Sequence, residues 1–208
     1  MHLSTTIALA VALAAPAALG AMTAGQNVTD VRQLYDAGRY QEVVRATDLT
    51  KAEADNASRL QYLAAQSYTK LNDADGARRT YQRLADSGTN PWAPIGKSAV
   101  QLMDKQFDEA LASADQAVRM AATLPEAHYQ RGIVRMTRKE YGDAADAFTK
   151  ATQLDPTFAA AYYYAGLANY RVKRTDLMAN NFGMFVKLAP NAPERPEVES
   201  ILRTVRGR

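Results

Sequence analysis

Pro125-Glu126-Ala127-His128-Tyr129-Gln130-Arg131-Gly132 opens a segment that continues through Tyr141-Gly142-Asp143-Ala144, Phe148 and Ala151 and closes on Leu154-Asp155-Pro156-Thr157-Phe158. Two amphipathic helices can be read in it, with a break near Glu140 where the apolar positions at three- and four-residue spacing restart. The same break recurs near Gly38, Asn72, Gln106 and Arg174. The quartets that follow these breaks end at Val43, Ala77, Ala110, Ala144 and Met178, so their spacings are 34, 33, 34 and 34 residues. A fixed period of this length marks stacked helix pairs, none of which can bury its own apolar face alone.

The neighbouring copies keep parts of the pattern. Tyr162, Gly166, Phe182 and Leu188-Ala189-Pro190 follow the central copy, and Ser98, Phe107, Glu109-Ala110 and Ala117 precede it. Further back stand Ala65, Tyr68, Ala77 and Tyr81, and the first copy keeps little beyond Gly38-Arg39-Tyr40. With period, small residues, aromatics and the closing Leu-Asp-Pro at their offsets, the chain resembles the tetratricopeptide repeat family over roughly 165 residues at about 34 per copy. The resemblance implies an all-α, right-handed α-solenoid of about five helix pairs. The units are set at 27–57, 58–90, 91–124, 125–158 and 159–192, within a solenoid spanning 27–194.

Columns of the alignment make physical sense in themselves. Val31, Ala65, Ser98, Gly132 and Gly166 form one small-residue column, which lets paired helices approach closely. Tyr81, Phe148 and Phe182 form a large one, expected to fill the space between one pair and the next. Beyond Pro193 and Pro196, Val198, Ile201, Leu202 and Val205 fall at i, i+3, i+4 and i+7. That stripe predicts a capping helix in 195–208, followed by a basic tail. The degraded first copy is either a frayed cap or a docking edge.

Composition narrows the chemistry. The 208 residues are 47% hydrophobic and 23% charged, as in a globular chain, and contain no cysteine and two histidines, His2 and His128. Thiolate catalysis and cysteine-type zinc sites are excluded, and no metal or cofactor is expected. The formal charge of +3 comes from basic and acidic residues that are mostly interspersed, so no nucleic-acid partner is expected. Ser67-Tyr68-Thr69-Lys70 fits the S-x-x-K pattern but lies within a repeat helix and lacks its companion motifs. Asp73, Asp75, Asp143 and Asp146 read as helix-start acids rather than catalytic pairs, and His128 as a packing residue. Arg131, Arg135 and Arg138 form a stripe for which Asp115, Asp143 and Asp146 are the expected intramolecular partners.

No charged side chain precedes Asp30, and Ile7 to Leu19 is almost continuously apolar. Residues 1–20 are expected to be a signal peptide cut after Gly20, with 21–26 as a short linker. The expected location is the bacterial periplasm or the exterior. The alternative is an inner-membrane anchor, which would bring the membrane in as a partner.

In proteins of this resemblance, the first helices of successive pairs line a concave groove. Helical phase places Tyr62, Gln66, Lys70, Leu102, Tyr129, Ile133, Met136, Tyr163, Leu167 and Tyr170 there. The surface is aromatic and apolar, suited to a protein or peptide ligand, although several members are as readily core as groove. Val28, Leu63, Trp92 and Gly96 stand where a polar clamp for a C-terminal carboxylate would be wanted, which argues against a chaperone-tail adaptor. The expected function is an exported, non-enzymatic scaffold. Its alternative is a membrane-anchored assembly factor or a regulatory subunit of an envelope enzyme or secretion complex.

Overall fold

The computed structural model describes residues 24–49 and 54–206, which form eleven helices and no strand. The first pair is α1 (Ala24–Asp36) and α2 (Tyr40–Leu49), the second α3 (Ala54–Lys70) and α4 (Ala74–Ala85). The third is α5 (Trp92–Met103) with α6 (Phe107–Met120), the fourth α7 (Pro125–Thr137) with α8 (Tyr141–Leu154), and the fifth α9 (Ala159–Arg171) with α10 (Thr175–Leu188). A last helix, α11 (Arg195–Arg206), follows. Consecutive helices pack on one another along the whole series, the arrangement of a solenoid. Helix α1 starts ahead of position 27 and α3 ahead of position 58, so the first two units begin earlier than their sequence bounds. The expected signal segment, 1–20, lies outside the described residues. No described helix is long and apolar enough to cross a membrane.

Each turn between paired helices is built alike. Gly38, Asn72, Lys105, Lys139 and Lys173 all have φ between 58° and 74°, the left-handed region. In the third pair the Lys105 N–H donates to the Leu102 carbonyl at 3.1 Å and the Gln106 N–H to the Gln101 carbonyl at 2.9 Å. The other four turns repeat these two bonds, which satisfy carbonyls that a helix end would leave orphaned. Left-handed backbone suits glycine because a Cβ crowds the following carbonyl there. Only the first turn uses it. At the start of α4 Asp73 accepts from the Gly76 N–H at 2.8 Å, the capping role its position suggested.

The small column faces the large one inside the fourth and fifth pairs. A Cβ on Gly132 would lie 2.6 Å from the Phe148 ring, and Gly166 abuts Phe182 in the same way. The aromatics therefore first fill the cleft within their own pair, a correction to the between-pair placement. Phe148 also reaches the next pair, stacking on Tyr164 with centroids 5.6 Å apart. Between the second and third pairs, Gly96 brings α5 against the backbone of α4, where a Cβ would sit 2.5 Å from the Ala85 nitrogen. At the C-terminal end Val198 is buried, and Ile201, Leu202 and Val205 pack beside it on the fifth pair, so α11 caps the stack as its stripe implied.

The first pair does not fray. It docks onto the fifth, and the solenoid curls until its ends meet. Val31, Tyr35, Leu60 and Leu63 form a cluster against which Ala160 of α9 packs. Arg32 in α1 bonds Asp155 and lies over the Phe158 ring, 4.7 Å from its centroid. Lys70 at the end of α3, in the second pair, donates to Glu194, beyond the fifth, at 2.6 Å.

Candidate functional site

Closure turns the concave side of the stack into the inside of a ring. Its aromatic lining becomes core. Tyr62 is 1% exposed and Tyr129 2%. Tyr62 lies edge-on to Tyr81 at 6.1 Å and beside Trp92 at 6.0 Å, while Tyr129 meets Phe158, Phe148 and Tyr164 at 4.9, 5.6 and 5.8 Å. Burial pushes the phenols of Tyr35, Tyr62 and Tyr129 well above the ordinary tyrosine range, so they stay neutral. Tyr62 and Tyr129 are thus structural members of the ring.

The other predicted groove residues divide by position. Gln66, Lys70, Leu102 and Ile133, together with Tyr129, line one cavity of about 150 Å³ that opens to solvent, completed by Tyr35, Thr69, Tyr81, Ala99, Met103, Gln130 and Tyr164. Met136 is half-buried against the core. Tyr163 and Leu167 are half-buried against the fifth-pair core, with Tyr163 lining a smaller cavity beside Tyr40, Lys70 and Glu194. Tyr170 is 50% exposed. Five of the ten therefore converge on one opening.

Polar groups around that opening are ordered. The Tyr62 hydroxyl donates to Gln130 Oε1 at 3.0 Å, Gln130 Nε2 donates to Ser98 Oγ at 3.2 Å, and Ser98 donates to the Ala110 carbonyl at 2.8 Å. Gln66 is 8% exposed, and its Oε1 receives no hydrogen bond from the protein.

Sequence reasoning missed the charges that close the ring. Glu126 is 1% exposed and accepts from Arg59 Nε at 2.7 Å and from Arg32 Nη2 at 3.2 Å. In the sequence Glu126 is one more acid in the first turn of a helix. Its partners lie in other repeats, where no periodicity points to them. Asp36, facing Arg32, Asp155 and Glu194 at the same junction, has its carboxyl pushed up to about 7, first by burial and then by the two neighbouring carboxylates, with Arg32 opposing.

The remaining expectations resolve simply. Arg135 pairs with Asp143 at 2.5 Å and Glu140 at 3.2 Å, and Arg138 with Asp108 and, at 2.6 Å, Glu140. Arg131 faces Asp115 at 3.8 Å, whereas Asp146 goes to Arg174 at 3.7 Å instead of to the stripe. Ser67 is fully buried and donates to the Leu63 carbonyl at 2.8 Å, one turn back in its own helix. His128 is buried, bonded through Nε2 to the Ala122 carbonyl at 2.9 Å, and burial holds its imidazole below the ordinary value.

Comparison with known proteins agrees with this architecture. Residues 125–158 match the tetratricopeptide repeat family model. No curated protein is matched by the sequence. A thermophilic TPR protein of Thermus thermophilus has a TM-score of 0.60 at 17% identity, covering 89% of this chain and 100% of that one. YrrB, a TPR protein with an unusual peptide-binding site, has a TM-score of 0.51 at 17% identity, covering 86% and 92%. The first TPR of Spaghetti, solved with an HSP90 peptide, has a TM-score of 0.52 at 17% identity, covering 57% and 91%. At these identities the likeness is one of fold.

Proposed function

We propose that this tetratricopeptide-repeat protein is an exported, non-enzymatic scaffold that holds a protein or peptide partner at the opening of its ring. One observation carries the reading. Four first helices besides α1 bring Lys70, Leu102, Ile133 and Tyr164 around a single solvent-open cavity whose walls are chiefly apolar and aromatic. Rigid, amphipathic walls of this kind suit the anchoring side chain of a partner more than a reaction, which needs activated groups at hydrogen-bond reach of each other. Two of the structurally similar proteins are described as peptide-bound or peptide-binding, which supports a peptide partner here.

The test is affinity co-purification from the native cell with a Leu102→Glu, Ile133→Glu double variant. Both side chains are half-buried at the rim, so the ring should survive, as circular dichroism would verify. Loss of the partner recovered by the wild type is expected. Equal recovery by a folded double variant overturns the assignment of the opening. Export is tested separately by N-terminal sequencing of the native protein, with a start at Ala21 expected. A retained Met1 would instead favour the anchored alternative.

A further inference from the structure

The joint that closes the ring carries one carboxyl group more than its cations can hold. Four acids meet along it among the described residues, Asp36, Glu126, Asp155 and Glu194, against three bases, Arg32, Arg59 and Lys70. Glu126 takes Arg59 and shares Arg32 with Asp155, and Lys70 is bound to Glu194. Asp36 forms none of these pairs. It faces Arg32 on its own helix, Asp155 ahead of α9 and Glu194 ahead of α11, and shares a small cavity with Lys70 and with Tyr35, Tyr40, Tyr163 and Tyr164. Arg195, next in the chain to Glu194, donates instead to Glu199 and to the Pro190 carbonyl. An ionised Asp36 in the shut joint is therefore a surplus negative charge beside two other carboxylates. A proton removes it.

The joint is also built to part. Helix α1 lies closely along α2 and α3. It meets the far end of the stack through scattered side chains: Tyr35 and its cluster on Ala160, Arg32 on Asp155 and Phe158, and the Gly38 turn on Pro193. Asp36 stands between two voids in this contact. One, of about 20 Å³, has room for a single water. The other, of about 190 Å³ and open to solvent, lies between Gln33 and Asp36 of α1 and Leu188, Ala189 and Pro190. Solvent thus reaches Asp36 from one side with the ring shut, and opening completes its hydration. We propose that the joint is a proton-controlled latch: with Asp36 neutral the first pair stays docked on the fifth, and with Asp36 ionised the two part while the repeats keep their fold. Acidification shuts the ring over its inner aromatic face, and a rise in pH bares that face. The latch belongs to the ring itself and stands whether or not the opening takes a partner.

Thiol accessibility reads the latch, since the chain has no cysteine of its own. Ala160→Cys puts a thiol in the joint, and Ser113→Cys puts one in the buried middle of the stack. Each modification rate, divided by that of a free model thiol at the same pH, follows the opening equilibrium at its site. Modification at Ala160→Cys is expected to be faster than at Ser113→Cys. Its rate should rise about tenfold per pH unit between about pH 5 and 6.5 and level off above about pH 7, because the shut ring holds the Asp36 proton up to about 7 and the parted ring only near the ordinary 3.8. Asp36→Asn should abolish this slope. Glu194→Gln leaves Lys70 to Asp36 and evens the count at three acids and three bases, so it should weaken the slope, and it decides the matter if Asp36→Asn does not fold. Equal rates at the two thiols would mean that the joint opens only when the whole fold does. That result, a rate that falls as pH rises, or a slope unchanged in whichever variant folds would each overturn the latch.

Discussion

Gly38 and Pro193, at opposite ends of the stack, are in contact: a Cβ on Gly38 would lie 2.5 Å from Pro193 Cγ, and Gly38 itself sits at φ 74°. The first turn of the solenoid is seated on the link between the fifth pair and the capping helix. Gly38→Ala adds both a left-handed penalty and an overlap, together about 2 kcal/mol. Hydrogen exchange should quicken in α1 and α2 while α5 to α8 keep their protection. Uniform protection in the variant would refute the contact's role.

Glu126 binds the ring at a second point. Glu126→Gln leaves Arg32 and Arg59, both largely buried, without their shared carboxylate, and is expected to cost about 3 kcal/mol. Arg78→Ala breaks a pair in which both side chains are exposed, Arg78 with Asp104, and should cost far less, because solvent screens that pair. Urea unfolding of the two variants side by side reads the contrast. Comparable losses would mean that Glu126 is not a junction residue.

Protonation of Asp36 couples the same junction to pH. Its carboxyl is raised from the ordinary 3.8 to about 7, so the docked state binds this proton more tightly than the unfolded chain does. The resulting stabilisation is complete below about pH 4, declines as pH rises, and is gone above about pH 7. Asp36→Asn cannot ionise. The stability of the variant relative to the wild type should therefore climb between pH 4 and 7 and level off beyond, as followed by urea midpoints. A pH-independent difference would contradict the assignment.

Lys139 offers the opposite kind of change. It is exposed and holds φ at 63°, where its Cβ is disfavoured, so Lys139→Gly should stabilise the protein by about 0.5 to 1 kcal/mol despite the greater freedom of glycine when unfolded. Thermal denaturation checks this. A lowered midpoint would show that the lysine makes a compensating contact.

Periodicity made the stack legible because each helix pair repeats the same local solution: Gly132 against Phe148, Gly166 against Phe182, a break every thirty-four residues or so. The stripe at Val198, Ile201, Leu202 and Val205 foretold the cap for the same reason. What joins distant repeats left no such trace. Arg32, Arg59, Glu126 and Glu194 look like ordinary surface charges in a repeat alignment, since their partners are set by the curvature of the whole stack. The inner-face residues were identified by helical phase, yet phase alone cannot tell an open groove from a closed one, and Tyr62 and Tyr129 became core when the ends met. Left-handed lysines at 105, 139 and 173 were equally silent, because the hydrogen bonds of the turn, and not the residue type, hold them there.

Meeting of the two ends has an outcome for the chain as a whole. An open array can gain or lose a unit by duplication and can melt inward from either tip. Here an added or deleted unit would carry Arg32 and Lys70 away from Glu126 and Glu194, so the number of units is locked. With the first and last described pairs holding each other, melting from either end must first part that junction, less like the end of a row of beads than like the opening of a clasped bracelet.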